Sequence, residues 1–436
     1  MAGSGERAAG PATARSASGR LQGIRDAGLL RRMRIVESAQ GPRVRIDGEE
    51  VLLLCSNDYL GLASHPTVAA AAIDAIERWG MGAGASRLIS GNMEPHERLE
   101  RRLADFHGTE SALLFGSGYL ANTGVIAALA PRDGTVFSDE LNHASIIDGC
   151  RLAGAATVVY RHRDLDHLAQ ALHARGTGGD LIITDGLFSM DGDVAQIAAL
   201  HELAARHGAR LMVDDAHAVG ALGPGGRGSV AEAGLDGGVD VLVGTLGKAL
   251  GSYGAYACVS HEVRELLVNT ARTLIFSTAL PPACAAAAEA ALAVIELQPG
   301  LVDRLRVNTA TMRSALAANG LEAGGAGAQI IPVAIGDPDR AVATSRRALA
   351  AGVYAQAIRP PTVAAGTSRL RLTVMAGHRQ DELRDAARVI ADSVEAVSVN
   401  GEWSIDLPDP EPGALRVLQA GGGRSHQPAV GSASGA

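Results

Sequence analysis

The sequence predicts an α/β protein: a large domain with a mainly parallel sheet between helices, followed by a smaller α+β C-terminal domain. Three observations predict it. Short apolar runs recur between Ser111 and Ser260 without alternating with polar residues, the pattern of strands buried on both faces. Periodic segments such as Ile197–His207 lie between several of them, and strands alternating with helices imply βαβ units. Polar and reactive residues then cluster just past the carboxyl ends of the runs, the edge of an open α/β sheet where ligands bind.

The elements follow in order. Residues 1–20 are small, basic and nearly free of apolar bulk; they are expected to be a disordered tail, with an Arg- and Ser-rich targeting segment as the alternative. Residues 21–60 read as a helix and a hairpin, Arg43–Ile46 and Glu50–Leu54, turning at Asp47-Gly48. The large domain is expected over 61–290, with strands at Ala112–Phe115, Thr135–Phe137, Thr157–Tyr160, Leu181–Ile183, Leu211–Val213 and Val239–Val243. The Ala-rich stretch Ala283–Val294 is too short to span a bilayer and reads as a buried helix. The small domain is expected over 291–400, with helices at Leu301–Ala318 and Asp381–Val397 and strands at Gln329–Ala334 and Leu370–Val374. Residues 401–436, rich in Pro, Gly and Ser, are expected to be disordered.

Composition narrows the function. The 436 residues are 47% hydrophobic and carry a formal charge of −8 with both signs scattered, which argues against a nucleic-acid groove. No stretch has the length and apolarity of a membrane span. Cys55, Cys150, Cys258 and Cys284 form no CxxC pair, so reduced thiols in a cytoplasmic protein are expected instead of a disulfide framework or a zinc site.

The strand-end clusters carry the chemistry. Gly116-Ser117-Gly118-Tyr119 lies between a strand and a helix; glycines there let backbone N–H groups approach a phosphate, although a plain tight turn gives the same pattern. Thr245-Leu246-Gly247-Lys248 follows the run ending at Val243, and Lys248 is the only lysine in the chain. A lysine desolvated at that edge has a lowered pKa and can form a Schiff base; arginine, used everywhere else for positive charge, cannot. Asp214 follows Val213, with His217 close behind, and a carboxylate there can keep a pyridinium nitrogen protonated. Asp214, Asp215 and His217 are also a conceivable metal set, but no second cluster with ligand spacing accompanies them, and no metal is expected. His143 can stack on a flat ring.

Together these motifs resemble the α-oxoamine synthases, within the fold-type I pyridoxal-phosphate (PLP) enzymes, over about Arg31 to Ala396. Ser56–Leu62 (SNDYLGL) and Ala85–Gly91 (ASRLISG) look like two of the family's signatures. Asn142–Ser145, Phe188–Gly192, Asp214–His217 and Gly244–Lys248 follow in the family's order. The resemblance implies a fold-type I PLP-dependent transferase and a homodimer with active sites at the interface. It implies that Lys248 carries the cofactor and moves protons, Asp214 pairs with the pyridine nitrogen, His217 reaches the phenolic oxygen with Ser189 nearby, and His143 stacks on the ring. Lys248, His143, Asp214 and His217 are thus the implied catalytic set. Ser117, Gly118, Tyr119 and Thr245 would hold the phosphate, Thr278 would reach the phosphate of the other subunit, and Asn57 and Arg371 would hold the amino-acid carboxylate. The implied reaction is a decarboxylative condensation of an amino acid with an acyl thioester.

Within the family, Ile358–Val363 (IRPPTV) running to Arg369–Thr373 (RLRLT), Ser56–Leu62 and Gly247–Gly251 (GKALG) resemble the branch that joins L-alanine to a pimeloyl thioester on acyl carrier protein or CoA, in biotin biosynthesis. Arg31 aligns with an arginine near its acyl channel. Branches using glycine or serine share every cofactor residue and stay open at this point, as does a specialised relative with another acyl donor. An aminotransferase shares the fold, but Ser86–Gly91 and Thr278–Pro282 point elsewhere. A PLP-fold protein that binds without catalysing would be expected to lack Lys248, Asp214 or Arg371, and all three are present.

Overall fold

The computed structural model describes residues 16–130, 133–175 and 179–399. The expectations for residues 1–15 and 401–436 lie outside the described residues. Helix Ala17–Asp26 begins inside the expected N-terminal tail, with the Ser16 hydroxyl accepting from Gly19 N–H as its cap; this short helix buries none of its residues.

The hairpin forms where the sequence places it. Strands β1 (Arg43–Ile46) and β2 (Glu49–Leu53) pair antiparallel, and the turn uses positive φ at both Asp47 and Gly48, which those two residue types tolerate. The seven-stranded sheet contains β3 (Ser111–Phe115), β4 (Thr135–Asp139), β5 (Ala156–Tyr160), β6 (Leu181–Asp185), β7 (Arg210–Asp214), β8 (Val241–Thr245) and β9 (Ala255–Val259), in the order β3-β9-β8-β7-β6-β4-β5. From β8 to β5 every pairing is parallel, while β9 runs antiparallel to both β8 and β3. Strand β9 is absent from the strands expected above. Its run Ala-Tyr-Ala-Cys-Val follows β8 after only nine residues, too few for a helical crossover, so the chain returns antiparallel.

Strand β5 departs from expectation in another way. Its apolar run predicts burial on both faces, yet only Tyr160 is buried and most of the strand is exposed. It is the outermost strand, with a neighbour on one side alone. Its Thr-Val-Val-Tyr run reflects β propensity, which serves an edge as well as a centre. The other ends shift by at most two residues: β6, β7 and β8 extend through Asp185, Asp214 and Thr245, so these polar groups close the strands.

The C-terminal region has its own sheet. Strands β10 (Ile330–Gly336), β12 (Gln356–Ile358) and β13 (Ser368–Thr373) pair antiparallel in the order β10-β13-β12. A two-residue strand β11 (Val353–Tyr354) joins β2 in parallel. Helices Gly300–Ala318, Pro338–Ala350 and Gln380–Val399 accompany these strands. Leu52 and Leu54 share a buried cluster with Met312, Ile331, Leu370, Leu372 and Ile390, so the hairpin segment packs with the C-terminal region and brings Ser56–Leu62 toward β13. Ala283–Val294 lies in the largely buried helix Pro282–Leu297. Among the described residues no single helix is long and apolar enough to cross a membrane.

Candidate active site

Strand ends converge on one edge of the seven-stranded sheet. Strand β3 delivers Gly116-Ser117-Gly118 to the start of helix Gly118–Leu129, where the Ser117 hydroxyl accepts from Leu120 N–H at 3.3 Å. A Cβ on Gly118 would meet nothing within 4 Å, so the space over this helix N-terminus is open and its free N–H groups and dipole favour an anion. Thr245, closing β8, donates to Gly254 O at 3.1 Å and accepts from Gly247 N–H at 3.2 Å. The Tyr119 side chain instead leans away to hydrogen-bond Asp148, so this residue reaches an anion at the helix start only through its backbone.

Asp214 closes β7 and is 7% exposed. One of its carboxylate oxygens accepts from Ala216 N–H at 3.0 Å, the other from the amide of Asn122 at 2.6 Å. The same amide donates to Ser145 Oγ at 2.9 Å. Sequence motifs do not single out Asn122. The available signal is its place four residues into the helix begun by Gly118, one turn above the anion-favouring end. Asp185 stands in register beside Asp214 on β6. It is 4% exposed, and its Oδ1 has no hydrogen-bond partner. Burial, then the charge of Asp214, raises its pKa well above the usual range, as expected of neighbouring carboxyls that cannot both ionise cheaply.

Lys248 is half-buried at the same edge. Burial lowers its pKa from 10.5 to about 8, with Arg371 adding to the effect and Asp214 and Asp185 opposing it. The amine is therefore substantially neutral a little above neutrality, the form needed to attack a carbonyl or accept a proton. His143 caps helix Ala144–Ala153 through Nδ1, 3.3 Å from Ser145 N. Desolvation and Lys248 lower its pKa against the pull of Asp214. His217 is held neutral by burial, reinforced by Lys248 and Arg371.

A second constellation meets the first from the C-terminal region. Arg371, on β13 and 7% exposed, donates through Nε to Ser189 O and through Nη2 to Asn57 Oδ1 at 3.2 Å. Tyr59, fully buried, donates to Asn57 Oδ1 at 3.2 Å, and its hydroxyl lies 2.7 Å from His217 Nδ1. Gln329 donates to His217 O at 2.8 Å. The chain Arg371–Asn57–Tyr59–His217 thus ties the carboxylate-binding candidates to the cofactor-binding candidates. Tyr59 lies inside the Ser56–Leu62 segment, but nothing in that motif assigns it a role; Gln329 carries no local signal. Two residues with expected roles sit apart from this chain. Thr278 is exposed and bridges antiparallel to Ser86. Arg31 is exposed and donates to Thr362 Oγ1 at 3.3 Å, which joins it to the Ile358–Val363 segment.

The aminotransferase class I and II family model matches residues 49–390. An 8-amino-7-oxononanoate synthase of Geobacter sulfurreducens is 52% identical over 380 residues, covering 86% of this chain and 97% of the relative. The chain belongs to the 8-amino-7-oxononanoate synthases, within the class I and II aminotransferase family. A second synthase, of Citrifermentans bemidjiense, is 50% identical over 85% of this chain and 96% of its own length. Among solved structures, a serine palmitoyltransferase of Sphingomonas wittichii superposes with TM-score 0.83 at 32% identity, covering 87% of this chain and 98% of that one. An 8-amino-7-oxononanoate synthase of Francisella tularensis gives TM-score 0.69 at 26% identity, covering 80% and 99%.

The fold is that of the fold-type I enzymes and the cofactor is PLP. The residues present fit it. A helix N-terminus with open space above Gly118 suits a phosphate. A buried, oriented carboxylate at Asp214 suits a protonated ring nitrogen. The chain's one lysine stands at the end of the strand beside Asp214.

Proposed function

We propose that this protein joins L-alanine to a pimeloyl thioester, on acyl carrier protein or CoA, giving 8-amino-7-oxononanoate, carbon dioxide and free thiol. One observation carries the reading: the chain is half identical, over 85–86% of its length and nearly the whole of theirs, to synthases of that name. The Arg371–Asn57 pair beside Lys248 and Asp214 supports it, because it provides a carboxylate site for an α-amino acid. Serine-using relatives share the fold, but at 31–32% identity.

Bound PLP supplies an electron-withdrawing ring that stabilises negative charge at the amino acid's α-carbon. The chain's own residues do the rest. Ser117, Gly118, the Tyr119 backbone and Thr245 would hold the phosphate end, with Thr278 contributed by the partner subunit. Asp214, aimed by Asn122 and Ala216 N–H, would keep the ring nitrogen protonated. His143 would lie against the ring, and His217 with Ser189 would serve the phenolic oxygen. Arg371 and Asn57 fix the substrate carboxylate and so choose which bond at the α-carbon aligns for cleavage. Lys248, poised near pH 8, takes the α-proton and later returns one to the product. The α-carbon bonds to the thioester carbonyl, the thiol departs, and loss of the former alanine carboxyl as carbon dioxide completes the balance.

We read the molecule as a cytoplasmic homodimer with a large domain over 61–290 and a small one over 291–400. Exposed Leu88, Ile89, Tyr253 and Phe276 supply apolar surface of the kind a subunit interface covers. Thiol and carbon dioxide release from alanine, glycine or serine against a panel of acyl thioesters tests the substrates. Release with alanine and the pimeloyl thioester is expected; glycine with acetyl-CoA as the sole productive pair would overturn the assignment.

A further inference from the structure

One half-buried histidine outside the described site touches both of its walls. His162 follows β5 and its side chain is 19% exposed. Its Nδ1 lies 2.9 Å from Asp139 Oδ1 and its Nε2 3.3 Å from Asp193 Oδ2. The ring meets Phe188 edge-on at 4.4 Å, which fixes its plane.

Each carboxylate organises a different wall. Asp139, almost wholly buried, accepts from Leu141 N–H and Arg163 N–H, both at 2.9 Å. That shapes the turn that runs through Asn142 into His143. Asp193 closes the loop carrying Ser189: Phe188 N–H donates to Asp193 O, and Gly192 N–H to Phe188 O, both at 2.9 Å. Ser189 O in turn accepts from Arg371. The other charged groups facing His162 are Glu140, which accepts His162 N–H at 3.3 Å, and Arg163, 3.9 Å from Asp193; Arg161 pairs with Asp164 instead.

An imidazolium can donate to both carboxylates at once, whereas a neutral imidazole has one N–H and can serve only one. We propose that His162, as the doubly protonated imidazolium, is a positioning residue that clamps the His143 turn to the Ser189 loop and thereby sets amino-acid affinity. This rests on the reading of Arg371 and Ser189 as part of the amino-acid site. Burial works against the charged ring, but Asp139 and Asp193 together outweigh it, and the net displacement of its pKa is upward. The clamp is therefore complete below the ordinary value of about 6.5 and loses an arm as the pH rises through the elevated one.

The test uses PLP-loaded enzyme with labelled histidines. The His162 imidazole titration is read by NMR and assigned by its absence in His162→Gln. L-Alanine affinity is read from the change in cofactor absorbance over the same pH range. In the wild type, His162 is expected to titrate above 6.5, and the alanine Kd to rise about five- to tenfold through that transition, the scale of one charge-assisted hydrogen bond. His162→Gln is expected to bind as weakly as deprotonated wild type. Any pH dependence left in it belongs to groups other than His162. Asp193→Asn should lower the His162 pKa and weaken alanine binding at low pH. Superimposable Kd profiles for wild type and His162→Gln, or a His162 titration at or below 6.5, would overturn the proposal. If neither protein binds alanine at any pH, the substrate reading fails instead, while the NMR titration still decides whether the clamp forms.

Discussion

Replacing Lys248 by Met should stabilise the cofactor-free protein at neutral pH, since the native cleft disfavours the ammonium that the unfolded chain holds freely. The native pKa of about 8 stands against an ordinary lysine value of 10.5, with burial as the main cause. That gap of about 2.5 units corresponds to about 3.5 kcal/mol at ~1.4 kcal/mol per unit. Lys248 is half-buried, so solvent screening brings the expectation down to about 2 kcal/mol. Met nearly matches the lysine stem in volume and leaves little cavity. The sign follows from proton counts. At pH 7 both states of the wild type are protonated, and the penalty is fully present. Between about pH 8 and 10.5 the unfolded chain binds more protons than the native one, so wild-type stability rises with pH and the advantage of Met shrinks toward zero. Urea unfolding of both cofactor-free proteins, at one fixed protein concentration and at pH 7, 8.5 and 10, measures the difference. A wild type at least as stable as the variant at pH 7, or a gap that does not narrow with pH, would refute the reasoning.

Further outcomes follow from the same geometry. Asn122→Ala removes the 2.6 Å hydrogen bond to Asp214 and should cut kcat about tenfold while leaving alanine KM within about twofold, the signature of a group acting through Asp214; steady-state kinetics on both parameters checks it. Arg371→Lys keeps the charge but loses the planar fork that reaches Ser189 O and Asn57 together, so alanine KM should rise at least tenfold, with cofactor absorbance preserved. Asp215→Ala deprives Ser229 of the acceptor for both its N–H and its hydroxyl and should cost about 2–4 kcal/mol in urea unfolding. Burial also raises the Asp215 pKa from 3.8 to about 7. Its contribution is therefore full below pH 4 and declines as the pH climbs to 7, so the variant should show a flatter stability profile over that window.

Much of the site is legible in the sequence because strand ends concentrate function. Asp214 and Lys248 follow apolar runs whose lengths alone mark them as buried strands, and a single lysine in 436 residues stands out in any reading. The same logic fails where a run's character does not reveal its neighbours. Thr157–Tyr160 is as apolar as a central strand, and only the strand order shows it to be an edge. Ala255–Val259 is hidden because its antiparallel return breaks the βαβ rhythm. Asn122, Tyr59, Gln329 and His162 act through partners distant in sequence: Asn122 reaches Asp214, Tyr59 reaches His217, and His162 joins Asp139 to Asp193. Such pairings need three dimensions, because each residue taken alone is an ordinary polar side chain. The placement of the hairpin with the C-terminal region is hidden for the same reason, since β2 and β11 are about 300 residues apart.

The central claim is a carbon–carbon bond formed with loss of the amino acid's carboxyl, and carboxyl-labelled L-alanine tests it most directly. With the pimeloyl thioester, label is predicted to leave as carbon dioxide in one-to-one proportion with free thiol and 8-amino-7-oxononanoate. Label retained in pyruvate, with no thiol released, would reveal amino-group transfer and contradict the account.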